Sequence, residues 1–359
     1  VVVTGRDPAP GTRRAVDVHT HAMPLPLLRW LGDRSLAALD GLDEAHVVRI
    51  DPRISGVAKD APLPCPPAQV EIGARLALMD RTGVGQHAVA LPPFLMGSGL
   101  TDPVLLRELT RRGNDALAGY AAGAPDRLCA LGTVPVGDPS AAEEARRCLD
   151  DLGMAGVAIG SQGLGRELDD PVNEELWAFL ARRQAFTFLH PSVPVEPERT
   201  RAYWMAQLVG FPMETALAVS RLALGGVLER HRFPLCLAHG GGCLPALAGR
   251  LDLGWARKPP ARVSSSPPST WLRGLYYDTA VFSREQLARL VADVGAEHVL
   301  LGTDTPFDLA DEDPLRTVRE LGLDERESEL VLGGNARRLL AHAFLSPGSS
   351  ERQEPGVAS

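Results

Sequence analysis

Eight short, β-prone apolar runs recur along this sequence with amphipathic segments between them, and no other feature narrows the fold as much. They cover residues 15–19, 86–91, 127–133, 156–160, 185–190, 234–239, 275–279 and 298–303. Between them, apolar residues return at helical spacing. Ala141, Ala145, Cys148 and Leu152 do so, as do Leu287, Leu290, Val291 and Val294, and Leu330, Val331 and Leu339. Near-continuous apolar strands suit a parallel sheet covered by helices. Eight such alternations predict an α/β fold, a (β/α)8 TIM barrel. A doubly wound open sheet is the rival, but no GxGxxG follows the first run to favour it. Two stretches interrupt the alternation. Residues 31–69 hold Val47-Val48-Arg49-Ile50 and two Pro-rich patches, and predict a small inserted hairpin after strand 1. Residues 255–270, rich in Pro and Ser, predict a surface loop. Residues 1–14 read as a flexible leader and 346–359 as a disordered tail, leaving 15–345 as one domain.

Composition removes several function classes. Lys and Arg number 37 against 45 Asp and Glu, a formal charge of −8, so the surplus of cations that a phosphate backbone demands is missing. No apolar stretch nears the ~20 residues of a spanning helix, and the first residues lack a signal peptide's apolar core. The five cysteines, Cys65, Cys129, Cys148, Cys236 and Cys243, form no CxxC and mostly sit in apolar runs. They read as buried, reduced thiols. A cytoplasmic protein without nucleic-acid or membrane partners is expected.

The chemistry gathers where the runs end, which in a barrel is where catalytic side chains stand. The first reads Val16-Asp17-Val18-His19-Thr20-His21, and a period of two puts Asp17, His19 and His21 on one side. The fifth ends in His190-Pro191, the sixth in His239-Gly240-Gly241-Gly242, and the eighth in Gly302-Thr303-Asp304-Thr305-Pro306. Neutral imidazoles with one carboxylate suit Zn²⁺ or a similar divalent ion with a coordination position left open. The other histidines, His46, His87, His231, His298 and His342, read as surface or structural residues.

The pattern HxH…HP…HGGG…GTDxPF resembles the amidohydrolase superfamily, and within it the metal-dependent decarboxylases related to aminocarboxymuconate-semialdehyde decarboxylase. The similarity runs from about Val16 to His342. It is densest at Tyr203-Trp204, at residues 208–215 and 225–229, and at the His239, Asp304 and Gly334-Asn335 motifs. The resemblance implies that His19, His21, His190 and Asp304 are metal ligands and that His239 is the catalytic histidine, with Asp304 able to carry a proton as well. It implies that Arg250 reaches into the neighbouring subunit to hold a substrate carboxylate, which makes a homodimer the active unit; the other reading of Arg250 is a solvated helix charge. Binuclear relatives carry a Lys or Glu after strand 4, where this chain has Gly160-Ser161-Gln162-Gly163, so one metal is expected. Zn²⁺ is the expected ion, with Mn²⁺, Fe²⁺ and Co²⁺ compatible with the same donors. No organic cofactor is expected.

The chain also departs from the pattern. Ser192 stands where the decarboxylase has a Trp after His-Pro, and Gln207 replaces a second active-site Trp. The substrate arginine from the same subunit falls in the 31–69 insertion, with Arg49 and Arg53 as candidates. The resemblance implies non-oxidative decarboxylation, here of a small aromatic or unsaturated carboxylic acid. The alternative is metal-dependent hydrolysis of a lactone, amide or related carbonyl compound, for which the same ligands and general base serve.

Overall fold

A computed structural model describes residues 15–57 and 60–340; the leader at 1–14, the tail at 346–359 and His342 lie outside the described residues. Each of the eight apolar runs contributes a strand to one parallel sheet. These are β1 (Val16–His21), β2 (Gln86–Ala90), β3 (Leu128–Thr133), β4 (Gly156–Ile159), β5 (Thr187–Leu189), β6 (Leu235–Leu237), β7 (Tyr276–Asp278) and β8 (Val299–Leu300). They pair in sequence order, each with the next. The chain after β8 returns to β1: Val18 N donates to Leu301 O at 2.9 Å, His21 N to Thr305 O at 2.9 Å, and Asp304 N to His19 O at 2.9 Å. First and last strands are thereby joined, and the (β/α)8 barrel follows.

Burial explains why the strands read as apolar on both faces. Leu235, Leu237, Val157 and Ile159 pack with residues of the surrounding helices such as Leu222, Leu244 and Leu287, while Val16, Val18, Phe186, Phe188, Cys236 and Leu300 form a second cluster. The helices start where local chemistry sets them. The helix Pro103–Ala122 opens on Asp102, whose carboxylate accepts from Val104 N at 2.9 Å, with Pro103 in the first turn.

Two expectations change. The insertion carries three antiparallel strands, Ala37–Ala38, Val47–Ile50 and Leu63–Pro64, where a hairpin was expected. The outer pair are two residues each, too short to show a period. The stretch at 255–270 is not all loop. Its first residues end the helix Leu244–Arg257, and Pro259–Ala261 and Pro268–Leu272 form short helices, because proline is tolerated in a helix's first turn. All five cysteines are free, four of them buried.

Candidate metal centre

His19, His21, His190 and Asp304 converge at the C-terminal ends of β1, β5 and β8, each buried, with one ligating atom apiece lying within 4.8 Å of the others. The imidazole rings of His19, His21 and His190 stand 5.1–5.2 Å apart, near-perpendicular. Asp304 Oδ1 lies 3.2 Å from His19 Nε2 and 3.1 Å from His21 Nε2. His239 adds a fourth ring, 5.1 Å from His19 and 5.0 Å from His190, with Nε2 3.4 Å from Asp304 Oδ2.

The outer nitrogens of the three ligand rings are all occupied. His19 Nδ1 faces Asp278 Oδ2 at 2.6 Å, His21 Nδ1 faces Leu91 O at 3.3 Å, and His190 Nδ1 faces Pro191 O at 2.7 Å. Carbonyl and carboxylate oxygens accept only, so each Nδ1 carries the proton and each Nε2 presents a lone pair inward. Those three Nε2 atoms, with Asp304 Oδ1 and His239 Nδ1, are buried and have no hydrogen-bond partner. One unsatisfied buried polar atom costs about 1–3 kcal/mol, so leaving the ligand atoms unmet is costly. Three imidazole lone pairs and a carboxylate oxygen aimed at one point fit a divalent cation, which removes that cost.

Charge sets His19 apart from the other two ligand rings before a metal arrives. Burial disfavours a charged His19, but the Asp304 and Asp278 carboxylates outweigh it and push the pKa up to about 10. Burial holds His21 below its ordinary value and His190 well below. Burial also opposes the Asp304 charge, yet the facing histidines, His19 foremost, hold this carboxyl well below the usual carboxylate range.

The backbone places these groups in an uncommon conformation. His239 has φ +56° and Asp304 φ +67°, the left-handed region that non-glycine residues seldom adopt, and such residues cluster at functional sites. The turn after His239 continues through three glycines. A Cβ at Gly242 would stand 2.3 Å from Pro212 O, so no other residue fits there.

Asp17 is not a ligand. The pairing of β1 with β2 shifts register between Asp17 and Thr20, breaking the simple alternation. The Asp17 carboxylate instead accepts from His19 N at 2.9 Å, from Thr303 N at 3.2 Å and from Thr303 Oγ1 at 2.6 Å. Burial pushes it up to about 7 against those bonds. A fully buried Arg75 joins the same region. It donates to the His21 carbonyl, to Tyr120 Oη at 3.0 Å, and meets His87 Nδ1 at 3.3 Å. His87 is therefore structural, and its Nε2 lies 4.0 Å from Asp17 Oδ2.

Sequence reasoning missed Asp278, which orients His19 and also accepts from Gly240 N at 2.8 Å, so it touches a ligand and the turn after His239 at once. Its signal was in plain view: an acid closing the seventh run. No role was read for three phenylalanines, although Phe307 closes the GTDxPF motif and Phe211 lies within residues 208–215. Phe307 stands 5.2 Å from His21, Phe94 stands 6.1 Å from Phe307, and Phe211 stands 6.1 Å from His190. Only the fold brings them beside the ligands.

The expected arginines stand apart from this cluster. Arg250 is exposed on the Leu244–Arg257 helix and makes no hydrogen bond or ion pair among the described residues. Arg53 is clamped to Asp51, Nε to Oδ1 at 3.0 Å and Nη2 to Oδ2 at 2.8 Å. Arg49 reaches Asp40 Oδ1 at 3.3 Å. Gln207 is exposed, and no helix among the described residues is long and apolar enough to cross a membrane.

A barrel with this donor set matches known proteins over nearly its whole length. The Amidohydrolase family model matches residues 16–341. The 2-amino-3-carboxymuconate-6-semialdehyde decarboxylase of Dictyostelium discoideum is 33% identical over 271 residues, covering 74% of this chain and 75% of the relative. The crystal structure of 5-carboxyvanillate decarboxylase from Sphingomonas paucimobilis superposes with a TM-score of 0.77 at 25% identity, covering 91% of this chain and 99% of that one. A dihydroxybenzoic acid decarboxylase from Polaromonas sp., solved with bound manganese, shares the fold at a TM-score of 0.72 and 21% identity, covering 91% and 96%. With the family model spanning the strands that carry all four ligands, the chain belongs to the amidohydrolase family, in the branch that holds these decarboxylases.

Proposed function

We propose that this protein is a metal-dependent, non-oxidative decarboxylase of a small aromatic or unsaturated carboxylic acid. The observation that carries the reading is the convergence of unpartnered Nε2 atoms and Asp304 Oδ1 beside His239, with phenylalanine rings flanking the ligands on two sides. Flat apolar walls with a few convergent polar groups suit a planar ring. A divalent ion held by His19, His21, His190 and Asp304 would supply a Lewis acid that orients the acid group and draws electron density toward itself. We take the ion to be a single Zn²⁺; the manganese in the Polaromonas protein makes Mn²⁺ the second candidate.

His239 is the proton donor of this scheme. Its Nε2 faces Asp304 Oδ2 at 3.4 Å, so a proton can pass between them without crossing solvent. Delivery of that proton to the carbon bearing the carboxylate creates the electron sink into which the C–C bond pair falls as CO₂ leaves. The hydrolytic alternative needs the same groups, but the curated relatives are decarboxylases.

We further propose that the active unit is a homodimer. Tyr203, Trp204, Leu208, Met213, Leu217 and Leu253 are exposed apolar side chains on the segment leading into the Phe211–Leu224 helix, on that helix, and on the Leu244–Arg257 helix packed against it. A second copy would cover them. Arg250 lies one turn before Leu253 and would enter the partner's site, its planar fork matched to a carboxylate. The free thiols suit a reducing compartment, and on that ground we place the enzyme in the cytoplasm.

The deciding experiment gives metal-loaded protein a panel of benzoic and muconic acids and follows CO₂ and acid release in parallel. CO₂ release lost in His239→Ala, with the metal still bound, is the expected result. Acid release without CO₂ would establish hydrolysis instead. Arg250→Ala should raise KM by about 30-fold or more, as loss of a charged partner does, while light scattering reports a dimer. A monomer of full activity would remove the two-subunit site.

A further inference from the structure

Of the phenylalanines gathered at the ligand rings, Phe94, Phe188, Phe211 and Phe307, none comes from β4 or the residues that directly follow it. Phe94 and Phe307 stand toward His21, and Phe211 toward His190. At the end of β4 there is instead Gly160, where a Cβ would lie 2.2 Å from Ser98 Oγ and 2.7 Å from Ser192 Oγ. Only glycine leaves space for both hydroxyls. Ser192 follows the ligand His190 by two residues. Ser98 comes from the segment after β2, which must pass two strands of the barrel to reach it.

These hydroxyls are nearly buried, at 6% and 9% exposure, and bonded to each other: Ser192 Oγ donates to Ser98 Oγ at 2.5 Å. The pair uses one of its two protons internally. Ser98's own proton has no acceptor among the described residues, and no cationic side chain bonds to either oxygen. Beyond Gly160 the polar character continues through buried Ser161 and through Gln162, whose Nε2 donates to Glu214 Oε1 at 3.2 Å. Burial pushes the Glu214 carboxyl upward, toward its neutral form. An uncharged donor within a partly aromatic mouth reads out position and hydrogen-bonding capacity and gives no reward to a second negative charge.

We propose that Ser98 and Ser192 are specificity-determining residues: their hydroxyl pair receives a neutral hydrogen-bonding substituent, hydroxyl or amino, on the edge of the substrate ring away from its carboxylate. The proposal rests on the decarboxylase reading for which molecule is turned over, but its ligand contacts can be measured without turnover.

The test is calorimetric titration of the metal-loaded full chain with benzoate, the three monohydroxybenzoates and the three aminobenzoates, with CO₂ release recorded separately. At least one substituted acid should bind the wild-type protein more tightly than benzoate. Ser98→Ala should weaken that ligand roughly 10-fold and benzoate by less than about 2-fold, the loss of one hydrogen bond. Ser192→Ala carries the same expectation should the first variant misfold, and the double variant should lose little more than either alone, since the two act as one unit. A hydroxyl pair that merely ties two loops together would weaken all ligands equally, and that result overturns the proposal. So does a wild-type protein that does not distinguish benzoate from its substituted forms, whether it binds all or none. Selective losses without CO₂ release would sink the decarboxylase reading and leave the hydroxyl pair assigned; CO₂ release with uniform losses would do the reverse.

Discussion

The ground around the ligand histidines and the outer shell of this barrel handle charge in opposite ways. Around the ligands, Asp17, Arg75 and Asp278 are all buried and each is held by named partners: Asp17 by Thr303 and the His19 amide, Arg75 by Tyr120 and the His21 carbonyl, Asp278 by His19 and Gly240. In the outer shell, Arg250 stands free in solvent and Arg49 and Arg53 meet only exposed or nearby acids. A charge inside a barrel survives only with fixed partners, so every group there also dictates its neighbour's position. A solvated arginine constrains nothing and can be exchanged without cost to the fold. The metal site is thus locked into the scaffold, while the arginines proposed for substrate recognition sit on parts that can change.

The strongest way to break that contrast is Asp278→Asn. The amide keeps the size but not the charge, and can turn an N–H toward His19 Nδ1, which would reverse the tautomer and point a proton at the metal. We expect metal affinity to fall 10- to 100-fold with the fold intact, measured by competition against a chelator. An unchanged affinity would mean that the acid is only a turn anchor for Gly240.

That prediction also marks how far the sequence could be read. The four ligands and His239 were legible because strand ends and metal chemistry coincide: a histidine after an apolar run has few other reasons to be there. Asp278 obeyed the same rule but has no partner in its own strand, and its role depends on His19, 259 positions away in the chain. The contact of Phe94 with Phe307 was invisible for the same reason, since ring contacts between loops leave no period in sequence. Asp17 was placed on the side of His19 and His21 because strict alternation was assumed, and the register shift in β1 removes that premise. The insertion hid its third strand because its outer strands are two residues each.

The second prediction concerns protons. Without a metal, His19 stays protonated up to about pH 10, whereas burial keeps His21 and His190 neutral at neutral pH. A metal ion can take His19 Nε2 only after that proton leaves. The sign follows: as pH falls below 10 the proton competes better, so apparent affinity weakens by up to tenfold per pH unit. Between pH 8 and 6, metal uptake should release close to one proton per ion, read by calorimetry in buffers of different ionisation enthalpy. Release near zero would mean that His19 is already neutral in the free protein, and that the Asp278 and Asp304 carboxylates do not outweigh its burial.

The smallest effects belong to the insertion, and they sharpen the comparison from the outer side. Arg49 lies in the middle strand of the small sheet, and its guanidinium meets Asp40 in the same insert at 3.3 Å. Arg53 opens the short helix Pro52–Ser55, which packs against the Pro93–Leu95 turn carrying Phe94, and its carbonyl lies beside Gly99. It therefore stands on the side of the insert that meets the chain after β2, with two of its guanidinium nitrogens held by Asp51. A substrate carboxylate would have to compete with Asp51 for the guanidinium, which limits what Arg53 can contribute. Arg53→Ala should raise KM by about 3- to 10-fold with kcat little changed, the effect of one screened ionic contact at a binding site. Arg49→Ala should leave both within about 2-fold, since an exposed pair contributes well under 1 kcal/mol. The reverse order would move substrate recognition from the helix Pro52–Ser55 to the sheet, and with it the side of the insert that approaches the metal.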